Sequence, residues 1–173
     1  MDQFAAEPPV ERQVAEALTD REATLTVAEG CTGGLVATLL TARPGASDYL
    51  DRALVPYSYD SLRELLALDR ERLDTHGVVS EPVTVDIARA ARDTAKTTWG
   101  LATTGVAGPD GGSEQTPVGT VFVAVAYAGP WGTETSGTTV ARYEFDGDRA
   151  AVRERTARQA LRDLHARIEG RDH

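Results

Sequence analysis

Only one cysteine, Cys31, and one lysine, Lys96, occur among the 173 residues. A single cysteine excludes an internal disulfide, so a reducing cytoplasm is the expected compartment. No apolar run approaches the length of a membrane-spanning helix, and no N-terminal stretch resembles a signal peptide. Basic stripes and basic–aromatic clusters are also missing, so neither a membrane nor a nucleic acid is an expected partner.

The charge is acidic, with a formal net charge of −9 and a single lysine among 18 basic residues. Carboxylates retain water and salt ions at a protein surface, and high salt screens their mutual repulsion. This balance favours a protein from a salt-loving organism. An ordinary acidic cytosolic protein is the alternative.

The length predicts one domain over residues 1–173, with a loose end at 1–9. Hydrophobic periodicity and turn signals predict an alternation of helices and strands. The expected helices cover 10–20, 35–43, 61–68, 69–76 and 80–97, with a last one that begins after Asp148; the expected strands cover 25–28, 53–59, 101–106, 118–127 and 138–145. Such alternation predicts an α/β fold with a mixed sheet and helices on both faces.

The pattern makes four more detailed predictions. Pro56 predicts that the strand over 53–59 is bulged or lies at an edge. The near-continuous apolar run 118–127 predicts a strand buried on both faces, which forms a hairpin with the strand after it. In the helix over 80–97, the inner stripe should be Val83, Ile87, Ala91 and Thr94. In the last helix, the Arg and Glu residues between its apolar positions should form a solvated face.

Two glycine-rich turns each follow a probable strand, at 30–34 and at 105–112. The first leads into an apolar helix, where free N–H groups and the helix dipole favour an anion. Ligands of open α/β sheets lie beyond the carboxyl ends of strands. The two turns therefore predict one cleft, although the first turn alone is equally consistent with close strand–helix packing.

Seven short blocks occur in order: Ala28-Glu-Gly-Cys-Thr-Gly-Gly34, Pro44-Gly-Ala-Ser47, Val55-Pro-Tyr-Ser58, His76-Gly-Val-Val-Ser-Glu81, Thr104-Gly-Val-Ala-Gly-Pro-Asp-Gly-Gly112, Pro117-Val-Gly-Thr-Val121 and Phe145-Asp-Gly-Asp-Arg149. Together they closely resemble the C-terminal domain of the CinA family, the nicotinamide-nucleotide amidases, over about residues 10–168. The resemblance implies a three-layer α/β/α sandwich with a mixed, mostly parallel sheet of about five strands. It also implies a family activity: hydrolysis of the carboxamide of nicotinamide mononucleotide to nicotinate mononucleotide and ammonia.

The same resemblance implies that the family's catalytic pair has been lost here. Where the family has its nucleophilic serine, this chain has Gly30, and where the family has an assisting lysine, it has Leu62. Tyr59 replaces a family asparagine. Tyr57 and Thr104 remain as candidate catalytic residues, although Tyr57 could instead be a packed strand aromatic.

The ligand-binding set implied by the resemblance is Gly30, Cys31, Thr32, Gly33, Gly34, Thr104, Gly105, Gly108, Gly111, Gly112 and Arg149. Arg149 could contact a phosphate, or it could be a surface residue in the first turn of its helix. No metal or organic cofactor is implied, and His76, His165 and His173 lack metal-ligand spacing. The expected partners are a small nucleotide like nicotinamide mononucleotide and further copies of the chain, as a homo-oligomer.

Three hypotheses follow for function. The chain could bind a nucleotide without hydrolysing it. It could be a working amidase that uses substitute groups, such as Cys31 activated at a helix N-terminus, or Asp60 acting as base to the hydroxyl of Thr32, Ser58 or Ser61. It could also be a structural protein with a vestigial cleft, which would be filled by Tyr59 and Leu62.

Overall fold

The computed structural model describes residues 5–170. In chain order the elements are α1 (Val10–Asp20), β1 (Leu25–Glu29), α2 (Leu35–Thr41), a short 3₁₀ turn (Ala46–Asp48), β2 (Leu50–Leu54), α3 (Tyr59–Leu66), α4 (Arg70–His76), α5 (Glu81–Ala95), β3 (Trp99–Gly105), β4 (Thr120–Tyr127), β5 (Gly137–Glu144) and α6 (Arg149–Glu169). Part of the expected loose N-terminal end, residues 1–4, and also His173 fall outside the described residues. Across residues 5–170, no helix is both long and apolar enough to cross a bilayer.

One five-stranded sheet, in the order β2-β1-β3-β4-β5, forms the middle layer. β1 pairs in parallel with β2 and with β3, whereas β4 runs antiparallel to both β3 and β5. The mixed sheet and the β4–β5 hairpin are therefore confirmed. β4 is buried along nearly its whole length, as its continuous apolar run predicts.

Helices cover both faces of the sheet, which confirms the three-layer α/β/α architecture. α1, α2 and α6 pack on one face around the larger hydrophobic core, to which Leu25, Leu101 and Leu161 belong. α3, α4 and α5 pack on the other face around a second core that contains Leu62 and Ile87. Each sheet face is thus shielded from water by apolar helix stripes, which is what stabilises such layers.

Two local expectations are wrong. The strand β2 lies at the sheet edge as predicted, but it occupies Leu50–Leu54 rather than 53–59, and Pro56 lies in the loop beyond it. Proline has no N–H to donate to a sheet ladder, so pairing ends before it. Thr94, expected on the inner stripe of α5, is exposed, whereas Val83, Ile87 and Ala91 are buried as predicted.

The charged face predicted for α6 is also only partly solvated. Arg158 is completely buried, and its guanidinium donates to Glu154 at 3.0 Å and to Glu11 of α1 at 3.2 Å. Buried charges persist in proteins when they are paired and hydrogen-bonded. The ion pair with Glu11 joins α1 to α6, a role that helical spacing alone does not reveal.

Candidate functional site

The two glycine-rich turns begin side by side because β1 and β3 are parallel neighbours. Glu29 stands opposite Thr103 in the sheet register, and the Gly30 N–H donates to the Thr103 carbonyl at 2.8 Å. Both strands end at this carboxyl edge of the sheet, where open α/β sheets hold ligands. The prediction of one cleft between the two turns is confirmed.

A hollow of about 300 Å³ lies between these turns and is called the cleft below. It is lined by Gly30, Cys31, Pro56, Tyr57, Val78, Val79, Thr104, Gly105, Val106, Ala107, Gly108, Asp110, Gly111 and Arg149. Eight residues of the predicted site are in this lining: Gly30, Cys31, Tyr57, Thr104, Gly105, Gly108, Gly111 and Arg149. Thr32, Gly33, Gly34 and Gly112 are not among the residues that line it.

The contacts at the start of α2 explain why three of these four residues do not line the cleft. The carboxylate of the fully buried Glu29 accepts hydrogen bonds from the backbone N–H groups of Gly34 at 2.9 Å, Val36 at 3.1 Å and Ala37 at 2.8 Å. An internal carboxylate thus occupies the place that an anionic ligand was expected to take. The expectation of free N–H groups at this helix start is wrong.

The neighbouring Thr32 and Gly33 contact β3 and α6 rather than the cleft. Thr32 is fully buried, and its hydroxyl pairs with that of Thr103 at 2.8 Å. The Thr32 carbonyl accepts from the Arg153 guanidinium at 2.8 Å, which also packs over Gly33. These contacts fix the first turn to β3 and α6, so the turn forms a rigid wall of the cleft.

Across the cleft, small residues let the backbone come close. A Cβ atom at Gly105 would lie 2.7 Å from the Thr120 carbonyl oxygen, so only glycine fits there without displacing β4. At Gly112 a Cβ atom would lie 2.9 Å from the backbone nitrogen of Val118, so this glycine serves packing against the next segment rather than the cleft. In the second turn, Gly105 therefore lines the cleft, whereas Gly112 allows close packing against Val118.

Arg149 links the two walls at the mouth of the cleft. Its guanidinium donates to the Gly108 carbonyl at 2.7 Å and to the Tyr57 hydroxyl at 3.1 Å. Tyr57 is 67% exposed, so it is not a packed strand aromatic. Guanidinium carries five N–H donors, and these two contacts leave others for a ligand anion. Arg149 and Tyr57 thus form a hydrogen-bonded pair across the mouth of the cleft, called the Arg149 bracket below.

Gly30 and Leu62 lie beside the same small void of about 10 Å³ beneath the cleft, together with Thr103 and Thr104. Leu62 is only 2% exposed and belongs to the second hydrophobic core. The two positions that correspond to the family's serine and lysine are therefore near each other. A Cβ atom at Gly30 would lie 2.9 Å from the Thr103 carbonyl oxygen, so a side chain there needs a small backbone shift.

The cleft lining offers Cys31 as its one thiol, and that thiol is not activated. Burial, with a smaller contribution from the nearby Glu29 carboxylate, raises the pKa of Cys31 to about 12. The thiolate is the reactive form of cysteine, so a raised pKa makes the side chain a poor nucleophile. The helix start that was expected to lower this pKa is already occupied by Glu29.

The alternative base and hydroxyl groups also lie apart from the cleft. The Asp60 carboxylate is 86% exposed and stands 3.9 Å from Arg63. The Ser58 hydroxyl accepts from the Ser61 N–H at 3.1 Å and caps α3, and the two serine hydroxyls lie 2.9 Å apart. These residues serve the start of α3. Within residues 5–170, no three His, Cys, Asp or Glu side chains converge as a metal site.

Six lining residues are not in the predicted set: Pro56, Val78, Val79, Val106, Ala107 and Asp110. Val78 and Val79 also line a wider groove of about 830 Å³ beside the cleft, together with Tyr59 and Arg142. A signal for them existed, because the block over 76–81 was among the seven that carry the resemblance. Its contribution to the cleft could not be read from apolar side chains alone.

Comparison with known proteins agrees with this architecture. Residues 7–168 match the family described as the CinA C-terminal domain. The chain is 43% identical over 153 residues to the nicotinamide-nucleotide amidohydrolase PncC of Escherichia coli strain K12, covering 88% of each. It is 47% identical over 148 residues to a CinA-like protein of Anaeromyxobacter sp. strain K, covering 86% of this chain but 35% of that longer protein.

Solved structures show the same fold. A competence-damaged protein (CinA) superfamily protein from Klebsiella pneumoniae superposes with a TM-score of 0.85 at 32% identity, over 93% of this chain and 96% of that one. The competence/damage inducible protein CihA of Agrobacterium tumefaciens gives a TM-score of 0.84 at 32% identity, over 92% and 93%. The chain therefore belongs to the CinA C-terminal domain family.

Proposed function

We propose that this chain binds nicotinamide mononucleotide, or a close pyridine nucleotide, in its cleft without hydrolysing the carboxamide at an enzymatic rate. The observation that carries the proposal is an open cleft whose wall has Gly30, which has no reactive side chain, at the position of the family's nucleophile. Relatives of similar length carry the name nicotinamide-nucleotide amidohydrolase, which supports the ligand class.

Size and charge support the binding half of the proposal. A volume of about 300 Å³ is at the small end of ligand cavities, which suits one mononucleotide. Arg149 lies at the mouth and has unused N–H donors for a phosphate, a geometry in which guanidinium is effective. In a chain of net charge −9, a cation held at this position provides local attraction for an anionic ligand.

The missing chemistry supports the other half. Amide hydrolysis needs a nucleophile and a group that takes its proton. Gly30 supplies neither, Leu62 cannot move a proton, and the pKa of Cys31 is raised to about 12. Removing the nucleophile of a hydrolase typically costs about three to six powers of ten in rate.

The vestigial-cleft hypothesis receives less support. It expects Tyr59 and Leu62 to fill the cleft, yet Leu62 is buried in the second core and Tyr59 is exposed beside the wider groove. A filled cleft would leave no hollow between the two glycine-rich turns. The observed hollow keeps the walls and the Arg149 bracket that a ligand would use.

Calorimetric titration with nicotinamide mononucleotide in molar salt, with ammonia release followed in parallel, tests the proposal. We expect saturable heat and no ammonia above the uncatalysed background. Arg149→Ala should weaken binding by about 10- to 100-fold, because a charge-assisted contact is lost. The matched control is Arg162→Ala, which removes an exposed arginine of the same helix away from the cleft.

Three results would contradict the proposal in different ways. Ammonia release at ordinary enzymatic rates would establish the working-amidase alternative and would call for a substitute nucleophile. No heat and no thermal shift with the nucleotide would favour a vestigial cleft. Equal weakening by Arg149→Ala and Arg162→Ala would mean that only the overall charge, and not the bracket, attracts the ligand.

A further inference from the structure

Two buried threonine hydroxyls form a short relay that ends at the cleft. The Thr84 hydroxyl of α5 lies 2.7 Å from the Ser80 carbonyl oxygen and 2.7 Å from the Thr104 hydroxyl of β3. Thr84 is fully buried and Thr104 is 1% exposed. Thr104 nevertheless lines both the cleft and the small void beside Gly30. The relay thus connects the interior of α5 with the cleft wall.

The direction of each hydrogen bond in this relay follows from the number of hydrogens that each group can donate. A hydroxyl has one hydrogen to donate, and a carbonyl oxygen can only accept. The Thr84 hydroxyl must therefore donate to the Ser80 carbonyl, which leaves it as the acceptor from Thr104. The single hydrogen of the Thr104 hydroxyl is consequently committed to Thr84, so toward any further partner its oxygen can only accept, by offering a lone pair.

We propose that Thr104 determines ligand specificity by acting only as a hydrogen-bond acceptor in the cleft, so that the site selects a carboxamide over the matching carboxylate. The proposal rests on the proposed pyridine-nucleotide function. A carboxamide presents an NH₂ donor that suits this lone pair. A carboxylate has no hydrogen, so its oxygen would face another acceptor. Thr84 is a positioning residue, because it acts only by holding the Thr104 hydrogen.

The selectivity expected from such a contact is large enough to measure. Sites built around one donor–acceptor pattern reject an analogue that leaves a buried polar group unpaired, which for one contact corresponds to about 10- to 100-fold in affinity. The cation of Arg149 attracts the more negative acid whatever Thr104 does. The informative quantity is therefore the change in the amide-to-acid affinity ratio between variants.

The test is calorimetric titration of the full chain with nicotinamide mononucleotide and with nicotinate mononucleotide, each in molar salt. Thr84→Val keeps the side-chain shape but removes the acceptor of the Thr104 hydrogen, so Thr104 can turn that hydrogen into the cleft. We expect the amide-to-acid ratio to fall by about tenfold or more in this variant. Thr84→Ser retains the hydroxyl and should keep the ratio of the unmodified chain.

A second variant keeps the test decisive if Thr84→Val does not fold. Thr104→Val removes the acceptor itself and should weaken binding of the amide while leaving the acid nearly unchanged. Thermal melts of each variant separate loss of fold from loss of selectivity, since a structural role alone would weaken both ligands together. An unchanged ratio in Thr84→Val or Thr104→Val would overturn the assignment of Thr104 while leaving the proposed function in place. Absence of binding by either nucleotide would overturn the proposed function as well.

Discussion

The carboxylate of Glu29 is the feature whose removal has the most calculable consequence. It lies fully buried at the start of α2 and accepts three backbone hydrogen bonds, two on one oxygen and one on the other. Glu29→Gln keeps the shape of the side chain but replaces one acceptor oxygen by an NH₂ group. With the remaining oxygen toward Gly34 and Val36, the NH₂ group faces the N–H of Ala37, donor against donor.

The magnitude follows from these contacts. An unpaired buried donor costs about 1–3 kcal/mol. The two retained bonds lose their charge assistance, which adds about 1 kcal/mol because charged acceptors make roughly twice the contribution of neutral ones. We therefore expect Glu29→Gln to lower the free energy of unfolding by about 2–4 kcal/mol, a large share of the 5–15 kcal/mol typical of a domain. The melting temperature should fall by about 4 to 16 °C.

Urea unfolding and thermal melts, both followed by circular dichroism in molar salt, measure this loss. The matched control is Glu64→Gln on the exposed side of α3, which should change stability by less than about 0.5 kcal/mol. If Glu29→Gln and Glu64→Gln unfold at the same midpoint, Glu29 does not hold the start of α2. The start of α2 would then not be closed to a ligand anion.

Three further predictions follow from the same structure. Gly30→Ser combined with Leu62→Lys should give measurable ammonia release from nicotinamide mononucleotide where either single change gives none. The double variant should also have a lower melting temperature, because Leu62 is a core residue and a Cβ at Gly30 would lie 2.9 Å from the Thr103 backbone oxygen. Ammonia release by Gly30→Ser alone would show that the lysine is not needed. Arg158→Met should destabilise the fold by about 3–5 kcal/mol in urea unfolding, because it leaves two carboxylates without their shared cation; a loss near zero would mean that these charges are solvated. Cys31 should react with iodoacetamide at pH 8 only on unfolding, because burial raises its pKa to about 12. The same raised pKa means that protonated Cys31 stabilises the folded state below pH 9, and that this stabilisation is lost as the pH rises toward 12. Rapid alkylation of the native protein, followed by mass spectrometry, would contradict that.

Residue patterns were sufficient for most of the fold. Helical spacing puts Val10, Val14 and Leu18 on one face of α1, and all three are buried. Asp148, a residue type that favours helix N-caps, accepts a hydrogen bond from the Ala151 N–H at 2.9 Å at the start of α6. Such features depend on neighbours within one or two turns, so the local sequence contains the information. Propensity alone could not place β2, because an edge strand is defined by its pairing with β1.

The candidate site was predicted in part for the same reason. The two glycine-rich turns were identified correctly as cleft walls, since turn residues mark where strands end. The sequence could not show that the N–H groups at the start of α2 donate to Glu29 rather than to a ligand, because the same residues suit either acceptor. Thr84 carried no functional signal, since it is one threonine on the inner stripe of a helix.

By itself, the sequence determined the α/β alternation, the two turns at the carboxyl edge of the sheet, and the identities of Gly30 and Leu62 at two reactive positions of the family. Only the tertiary structure decided that Arg149 meets Tyr57, a residue 92 positions away in the chain, and that Arg158 meets Glu11 across 147 positions. It also decided that the Thr104 hydroxyl gives its hydrogen to Thr84. The physical reason is range: backbone preference and periodicity act between near neighbours, whereas the partner of a buried polar group is set by which elements the sheet order brings together.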